Sequence, residues 1–459
     1  MKELYSLFTA LVLLVLLVPL VCTFAFPEEL KANQVVTAKP AVTKADGSIN
    51  INYLDDVGTW FKNNFGLRQH FITAYSSVLD NVFGTSPVDE VIVGKDDYLF
   101  YSDEEESFIG NKTVSDRKLY SAAINLALIE EYTKSQGADF VFTVAPNKSS
   151  VLPEKMPARY TAKEGSNRDI LENYVAELGV NYLDMFSVLS QESDEVIYHK
   201  LDSHWNNLGA AMGAKAVNEA LGVEGTDYLS MPYEKRTDFE GDLYAMLYPY
   251  GTELDDNYYF DFTPSFTADE RNSDPTAMNY ITENSSEEHS LLMFRDSFGN
   301  AIAPLLAEDY GKAVFKRAVP YDLTQIAMNK SDKVVLEIVE RNVENLAKFG
   351  AKFPAFERSV SAVKSNDSLS FNCEGVQDMA LIKISGNIAC EADLSSRIYV
   401  KVNSKVYEAM QCGENSEGEN FTLYVPNDQS ESMEISVMIT VDNELTESPV
   451  QTVNIESQY

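Results

Sequence analysis

From residue 114 onward the apolar and polar positions fall into two alternating textures. VSDRKLYSAAINLALIEEYTKSQG spaces its apolar residues as a long helix does, with Ser115 as N-cap and Gly137 as C-terminal stop. ADFVFTVAP follows as an unbroken apolar run, the pattern of a strand covered on both faces. The alternation repeats: a helix at about 166–178, VNYLDMF as strand, LGAAMGAKAVNEALG as helix, HSLLMF as strand, NAIAPLLAEDYG as helix, DKVVLEIVE as strand and NVENLAKFG as helix. Buried strands alternating with helices predict an α/β fold built on a doubly wound parallel sheet. Residues 263–288 interrupt the rhythm as a long excursion, of the kind that lies near a site.

Either side of this block the texture changes. TWFKNNFGLRQHFITAYSSVLDNVF predicts an amphipathic helix or helix pair, and DEVIVGKDDYLFYS a hairpin turning at GKDD. After about residue 355 the helical spacing stops, and short segments such as ENFTLYVP and MEISVMITV alternate apolar and polar residues between turns. That predicts an antiparallel β-sandwich as a separate domain. At the other end, Leu4 to Phe26 form an almost uncharged run long enough to cross a bilayer. A cleaved signal peptide is the rival, with Thr23-Phe24-Ala25 a poor cleavage pattern, and the length of the run favours an uncleaved anchor. Val21 before Cys22 is a poor lipidation signal. The expected division is therefore an anchor or signal peptide over 1–26, a polar stalk over 27–48, the α/β domain over 49–355 and an accessory β domain over 356–459. The body would lie outside the cytoplasm, tethered through the N-terminal helix or secreted if that helix is removed.

Composition narrows the chemistry. A formal charge of −35 over 459 residues repels phosphates and excludes nucleic acid as a partner. Residues 27–372 contain no cysteine, which excludes thiol catalysis there. Cys373, Cys390 and Cys412 lack metal-ligand spacing and leave one bridge plus one free thiol open. No phosphate-cradling glycine loop and no zinc spacing appears, so neither a metal nor a cofactor is expected.

LDSHWNNLG, residues 201–209, places Asp202, His204 and Trp205 directly ahead of a helix in a chain with only 4 His and 2 Trp. A carboxylate two residues from an imidazole suits a general base whose Nδ1–H is held and whose Nε2 is free. Equally, Asp202 or Ser203 would serve as an N-cap while His204 and Trp205 pack. SLLMFRDSFGNAIAPLLAEDYG reads as strand, sharp turn and helix, with Ser297 in the turn. The backbone N–H groups near Ser297 and Gly299, at a helix N-terminus, would face a developing oxyanion. In FVFTVAPNKSSVLPEKMP, Asn147 is a further oxyanion donor candidate and Lys148 a source of positive charge, although an Asn-stabilised turn explains the pair as well. Arg295 would hold a carboxylate or substrate, or serve structure. Asp103 to Glu106 reads as a solvated acidic turn and His70 as packing or surface. His199 lacks a carboxylate partner of its own, and His289 carries no further signal.

VIVGKDDYLFYS, KLDSHWNNLGA and FRDSFGN together resemble the AlgX/AlgJ-like SGNH-hydrolase family, including its DHHW-type members. FGLRQHF, VAPNKSSVLPEKMP, GDLYAMLY and KVVLEIVERN extend the resemblance over about 58–350. It implies an exported or anchored serine-dependent O-acetyltransferase. Acetyl groups from a membrane-bound O-acyltransferase would pass to a polysaccharide acceptor through Ser297, with His204 as base and Asp202 as its orienting acid. Ser203 stands where the DHHW signature has His, and Asp-His precedes Ser, the permuted order of the alginate-type enzymes. The same three residues would serve a carbohydrate acetylesterase, and a non-catalytic glycan-binding scaffold on a degenerate hydrolase fold is the alternative of another class.

Overall fold

Seven of the segments rich in Val, Ile, Leu and Phe, or flanking them, pair into one mixed sheet. Its strands are β1 (Asp139–Ala145), β2 (Tyr182–Leu183), β3 (Thr267–Ala268), β4 (Asn279–Glu283), β5 (Ser290–Phe294), β6 (Lys312–Lys316) and β7 (Lys333–Val339). The spatial order is β2-β1-β7-β5-β6-β4-β3. The first five in that order run parallel. The computed structural model describes residues 2–25, 38–44, 47–110, 114–163, 165–191, 195–361, 363–413, 415 and 417–457. Part of the expected stalk, 27–37, lies outside them.

Side chains of each central strand alternate between two cores. Phe140, Phe142 and Val144 of β1 pack with helices Asp116–Ser135 and Asn167–Glu177, whereas Val141 and Ala145 pack with helices Asn207–Leu221 and Gly299–Ala307. Both faces are thus covered, as continuous apolar strands require. Ser115 caps the first of these helices by accepting the Lys118 N–H, as expected.

Several elements differ from the reading of the sequence. The excursion at 263–288 contributes β3 and β4, which join antiparallel, so the sheet is not wholly parallel. The VNYLDMF strand is only two residues long, because Asp184 accepts the Ser187 N–H and starts the helix Met185–Leu189. NVENLAKFG makes only a single turn, Asn345–Lys348. A ribbon of Tyr233–Phe239 with Asp255–Phe260 had no periodic signal, since its first strand is mostly exposed and polar.

The hairpin forms as expected, Val91–Val93 against Leu99–Tyr101. At the N-terminus, α1 (Lys2–Ala25) contains the apolar stretch Leu4–Ala25, long enough to cross a membrane. The amphipathic segment is a helix pair, α2 (Tyr53–Asn64) and α3 (Arg68–Phe83), broken at Phe65-Gly66-Leu67. Beyond residue 355 the described regular elements are all strands, and Gly375–Val376 pairs parallel with Ile455–Glu456, so the expected all-antiparallel pairing does not hold.

This sheet-rich region meets the α/β part through a buried seam. Met410 and Cys412 belong to the same core as Phe140 and Phe142. Asn125 Nδ2 donates to the carbonyls of Leu346 and Gln411 at 3.1 and 3.2 Å, and Ser121 Oγ donates to Gln411 Oε1 at 2.8 Å. Cys373, Cys390 and Cys412 all carry free thiols.

Candidate active site

Ser297 follows the carboxyl end of β5, where an Asp side chain shapes the turn. Asp296 accepts the N–H of Phe298 at 2.9 Å and that of Val339 at 2.6 Å, tying the turn to the end of β7. The Phe298 N–H is therefore not available to an oxyanion. Gly299 opens the helix because a Cβ there would lie 2.3 Å from Arg295 Cδ and 2.7 Å from Arg295 Cβ. Gly299→Ala is expected to lower stability by about 1–3 kcal/mol through this overpacking, read as a shift in urea midpoint.

The 197–206 loop brings the histidine to that serine. Its ends pair across Tyr198 and Trp205, and Asn206, not Asp202 or Ser203, caps the helix Asn207–Leu221 through the N–H groups of Leu208 and Gly209. Asp202 Oδ1 accepts both the His204 N–H at 2.9 Å and Nδ1–H at 2.7 Å. An ionised carboxylate can only accept, so the proton sits on Nδ1 and Nε2 accepts the Ser297 hydroxyl at 2.9 Å. Trp205 donates its indole N–H to the Phe298 carbonyl at 3.1 Å and meets the Phe298 ring edge-on, with centroids 5.0 Å apart. The adjacent His and Trp therefore act on adjacent residues of the other turn: one reaches Ser297, the other clamps Phe298.

A second carboxylate stands behind this line. Asp242 accepts the Ser203 N–H at 3.0 Å and the Ser203 hydroxyl at 2.9 Å, and its own N–H donates to Asp202 Oδ2 at 2.8 Å. Burial, with the charge of Asp202 added, pushes the Asp242 carboxyl up to about 6. Burial would also raise Asp202, but the charge and hydrogen bond of His204 prevail and hold it well below the usual carboxylate range. For His204, burial would lower the imidazole pKa; Asp202, with Asp242 behind it, outweighs that and raises it. Arg341, over the ring of Phe298 at 5.4 Å, pulls the other way. Only a neutral His204 imidazole can accept the Ser297 proton, so a reaction that uses this contact should rise with pH through a midpoint above the ordinary 6.5 of histidine. Asp242→Asn should move that midpoint down, checked by the acid limb of kcat/KM. Donor atoms of Asp202, His204 and Asp242 all lie within 4.8 Å of one another.

The remaining candidates divide. Asn147 is buried at the end of β1, with both side-chain amide atoms unpaired while its N–H donates to Glu340 Oε2 at 3.0 Å. The Lys148 ammonium, fully buried, donates to the carbonyls of His199, Lys200 and Asp202 at 3.1, 3.3 and 2.6 Å. It clasps the histidine loop, and burial lowers its pKa to about 8. Arg295 makes structural contacts, one of its two readings. Its guanidinium donates to the carbonyls of Pro275, Ala277 and Asp296 and to Asn300 Oδ1, stapling the excursion to the serine turn. The acidic stretch is a helix, Asp103–Phe108, in which Glu104 is buried, accepts the Ser149 N–H at 3.0 Å and lies 3.6 Å from Arg341. His199 is buried against Phe239, 3.9 Å from the Asp255 carboxylate, and burial lowers its pKa to about 4. The His70 ring lies tilted against Tyr250, and His289 donates to Asp332 at 2.6 Å.

The fold is an α/β sheet whose strand ends and connecting loops bring Ser297, His204 and Asp202 into one line. Residues 91–259 match the family model described as SGNH hydrolase-like domain, acetyltransferase AlgX, in line with the resemblance that the motifs of this stretch carry. The matched stretch includes Asp202 and His204 and ends before Ser297. Among solved structures, the chain is similar to a DHHW family protein from Eubacterium siraeum (19% identity, TM-score 0.41, covering 49% of this chain and 87% of that one). It is also similar to Bacillus cereus PatB1 (17%, 0.42, 55% and 96%) and to the O-acetyltransferase domain of Pseudomonas putida AlgJ (17%, 0.38, 55% and 92%). No curated protein matches the sequence.

Proposed function

We propose that the chain is an extracytoplasmic O-acetyltransferase that acetylates a polysaccharide through an acetyl-Ser297 intermediate. The observation that carries this reading is the unbroken line from Asp202 through His204 to Ser297, with contacts of 2.7 and 2.9 Å. In the first half-reaction His204 Nε2 takes the Ser297 proton as Oγ bonds to the acetyl carbon, and the donor's leaving group departs with that proton. In the second, a sugar hydroxyl gives its proton to Nε2 and attacks the acetyl carbon. The sugar ester forms, the bond to Oγ breaks, and Ser297 recovers a proton. Asn147 Nδ2 and the N–H groups of Ser297 and Gly299 are the assigned oxyanion donors; the unpaired buried amide of Asn147 supports that role, because leaving it without a partner costs about 1–3 kcal/mol.

Anchoring by α1 keeps the enzyme at the membrane, where a membrane-bound O-acyltransferase supplies acetyl and the polymer emerges. The α/β unit at 49–355, with its doubly wound sheet, does the chemistry. Residues 356–459 form the accessory sandwich. Incubating the full-length protein with an activated acetyl ester and oligosaccharides tests the reading. Acetylated sugar is expected; free acetate alone would make the enzyme an acetylesterase.

A further inference from the structure

One face of α3 is apolar and uncovered. Phe71, Tyr75, Val78 and Val82 are 44%, 59%, 56% and 66% exposed. At about 100° per residue they fall within about 60° of one another. The opposite face holds the helix to the protein: Gln69 and Ser76 are buried, Thr73 Oγ1 accepts the Tyr250 N–H at 3.0 Å, and Asp80 accepts the Tyr248 hydroxyl. The bare stripe is therefore not the inner side of a loosely placed helix.

Its position relative to α1 says what covers it. The last turns of α1 pack on the elbow between α2 and α3: the Gly66 N–H donates to Thr23 Oγ1 at 2.8 Å, and Phe24 lies 6.4 Å from Trp60. A Cβ on Gly66 would lie 2.4 Å from Cys22 Cβ, so the contact is close. Because Thr23 belongs to the apolar stretch Leu4–Ala25, the elbow meets the span before the span ends. The protein body then reaches the bilayer surface itself, and α3 starts there. Trp60, Phe61, Phe65 and Phe71 cluster around the elbow, and Trp60 is of a type that favours the headgroup level.

We infer that α3 lies along the extracytoplasmic face of the bilayer with Phe71, Tyr75, Val78 and Val82 in the headgroup–acyl boundary. This is a second, monotopic contact beside the anchor, and it rests on the reading of α1 as an uncleaved span. Behind α3 stands 242–250, whose first residue is the Asp242 that holds Asp202 and Ser203. The contact therefore fixes the height and tilt of the serine site over the membrane.

The test uses the full chain in phosphatidylcholine vesicles, in a Trp60→Phe background that leaves only the buried Trp205. Tyr75→Trp, Val82→Trp and, as control on the C-terminal region, Met379→Trp are made one at a time. Lipids brominated near the headgroup should quench the first two at least about twofold and leave the third unchanged. Quenching at 75 or 82 no greater than at 379, in a chain that resists alkaline carbonate extraction, overturns the inference and leaves the anchor standing. Release by carbonate overturns the anchor and this contact with it.

Discussion

Replacing Ser297 with alanine should abolish acetyl transfer, by about 10⁴-fold or more, while leaving the urea midpoint within about 0.5 kcal/mol of the parent. In the proposed mechanism the Ser297 hydroxyl oxygen gains the bond to acetyl in the first half-reaction and gives it up in the second. Its loss costs the fold little, since Ser297 is partly exposed and its turn is held by other atoms. Asp296 grips the turn through two backbone N–H groups, and Trp205 grips the carbonyl that follows. The companion measurement is labelling by a serine-directed fluorophosphonate, which should disappear in the same variant. Retained labelling would place the nucleophile elsewhere, and retained transfer would remove the proposed mechanism.

Asp202→Asn is the second large effect, expected at about 10³–10⁴-fold in kcat. The carboxylate has three donors around it: the His204 N–H, the His204 Nδ1–H and the Asp242 N–H. An amide can still accept from some of these. It no longer dictates which ring nitrogen carries the proton, and it cannot stabilise the imidazolium formed when Ser297 is deprotonated. The acid limb should also change. With the main opposing charge gone, the burial that lowers the His204 pKa is left to dominate, and the midpoint should fall below that of the parent. A variant that lost activity with an unmoved acid limb would argue that Asp202 serves only the shape of the loop.

The core of the site was legible because its parts leave local marks. A strand followed by a sharp turn with Ser297 and Gly299, and an Asp-x-His ahead of a helix, are short patterns whose spacing is close to the geometry itself. What the sequence withheld was direction. Lys148 and Arg295 are correctly seen as cations at strand ends, but spacing cannot tell whether a long side chain reaches toward substrate or back into carbonyls, and both reach back. Asp242 was hidden for a different reason. GDLYAMLY entered only as a line of the family resemblance, and the ribbon that flanks it has no apolar alternation in its first strand to reveal that the intervening turn returns to the histidine loop. Glu104 looked solvated because it sits in a run of acids, whereas only the fold brings the Ser149 N–H and Arg341 to it. The antiparallel strands β3 and β4 were missed because two- and five-residue elements inside a polar excursion give too little periodicity to count.

Met410 and Cys412, interleaved with the aromatic layer under the sheet, make dissection at residue 355 a poor experiment. A truncated catalytic half would bare that layer to water and strip Ser121 and Asn125 of their glutamine partner, so it should precipitate or melt early even with its nucleophile intact. Loss of turnover after such a cut would then speak of collapse, and the role of the tail is better sought by altering its outer surface in the whole chain.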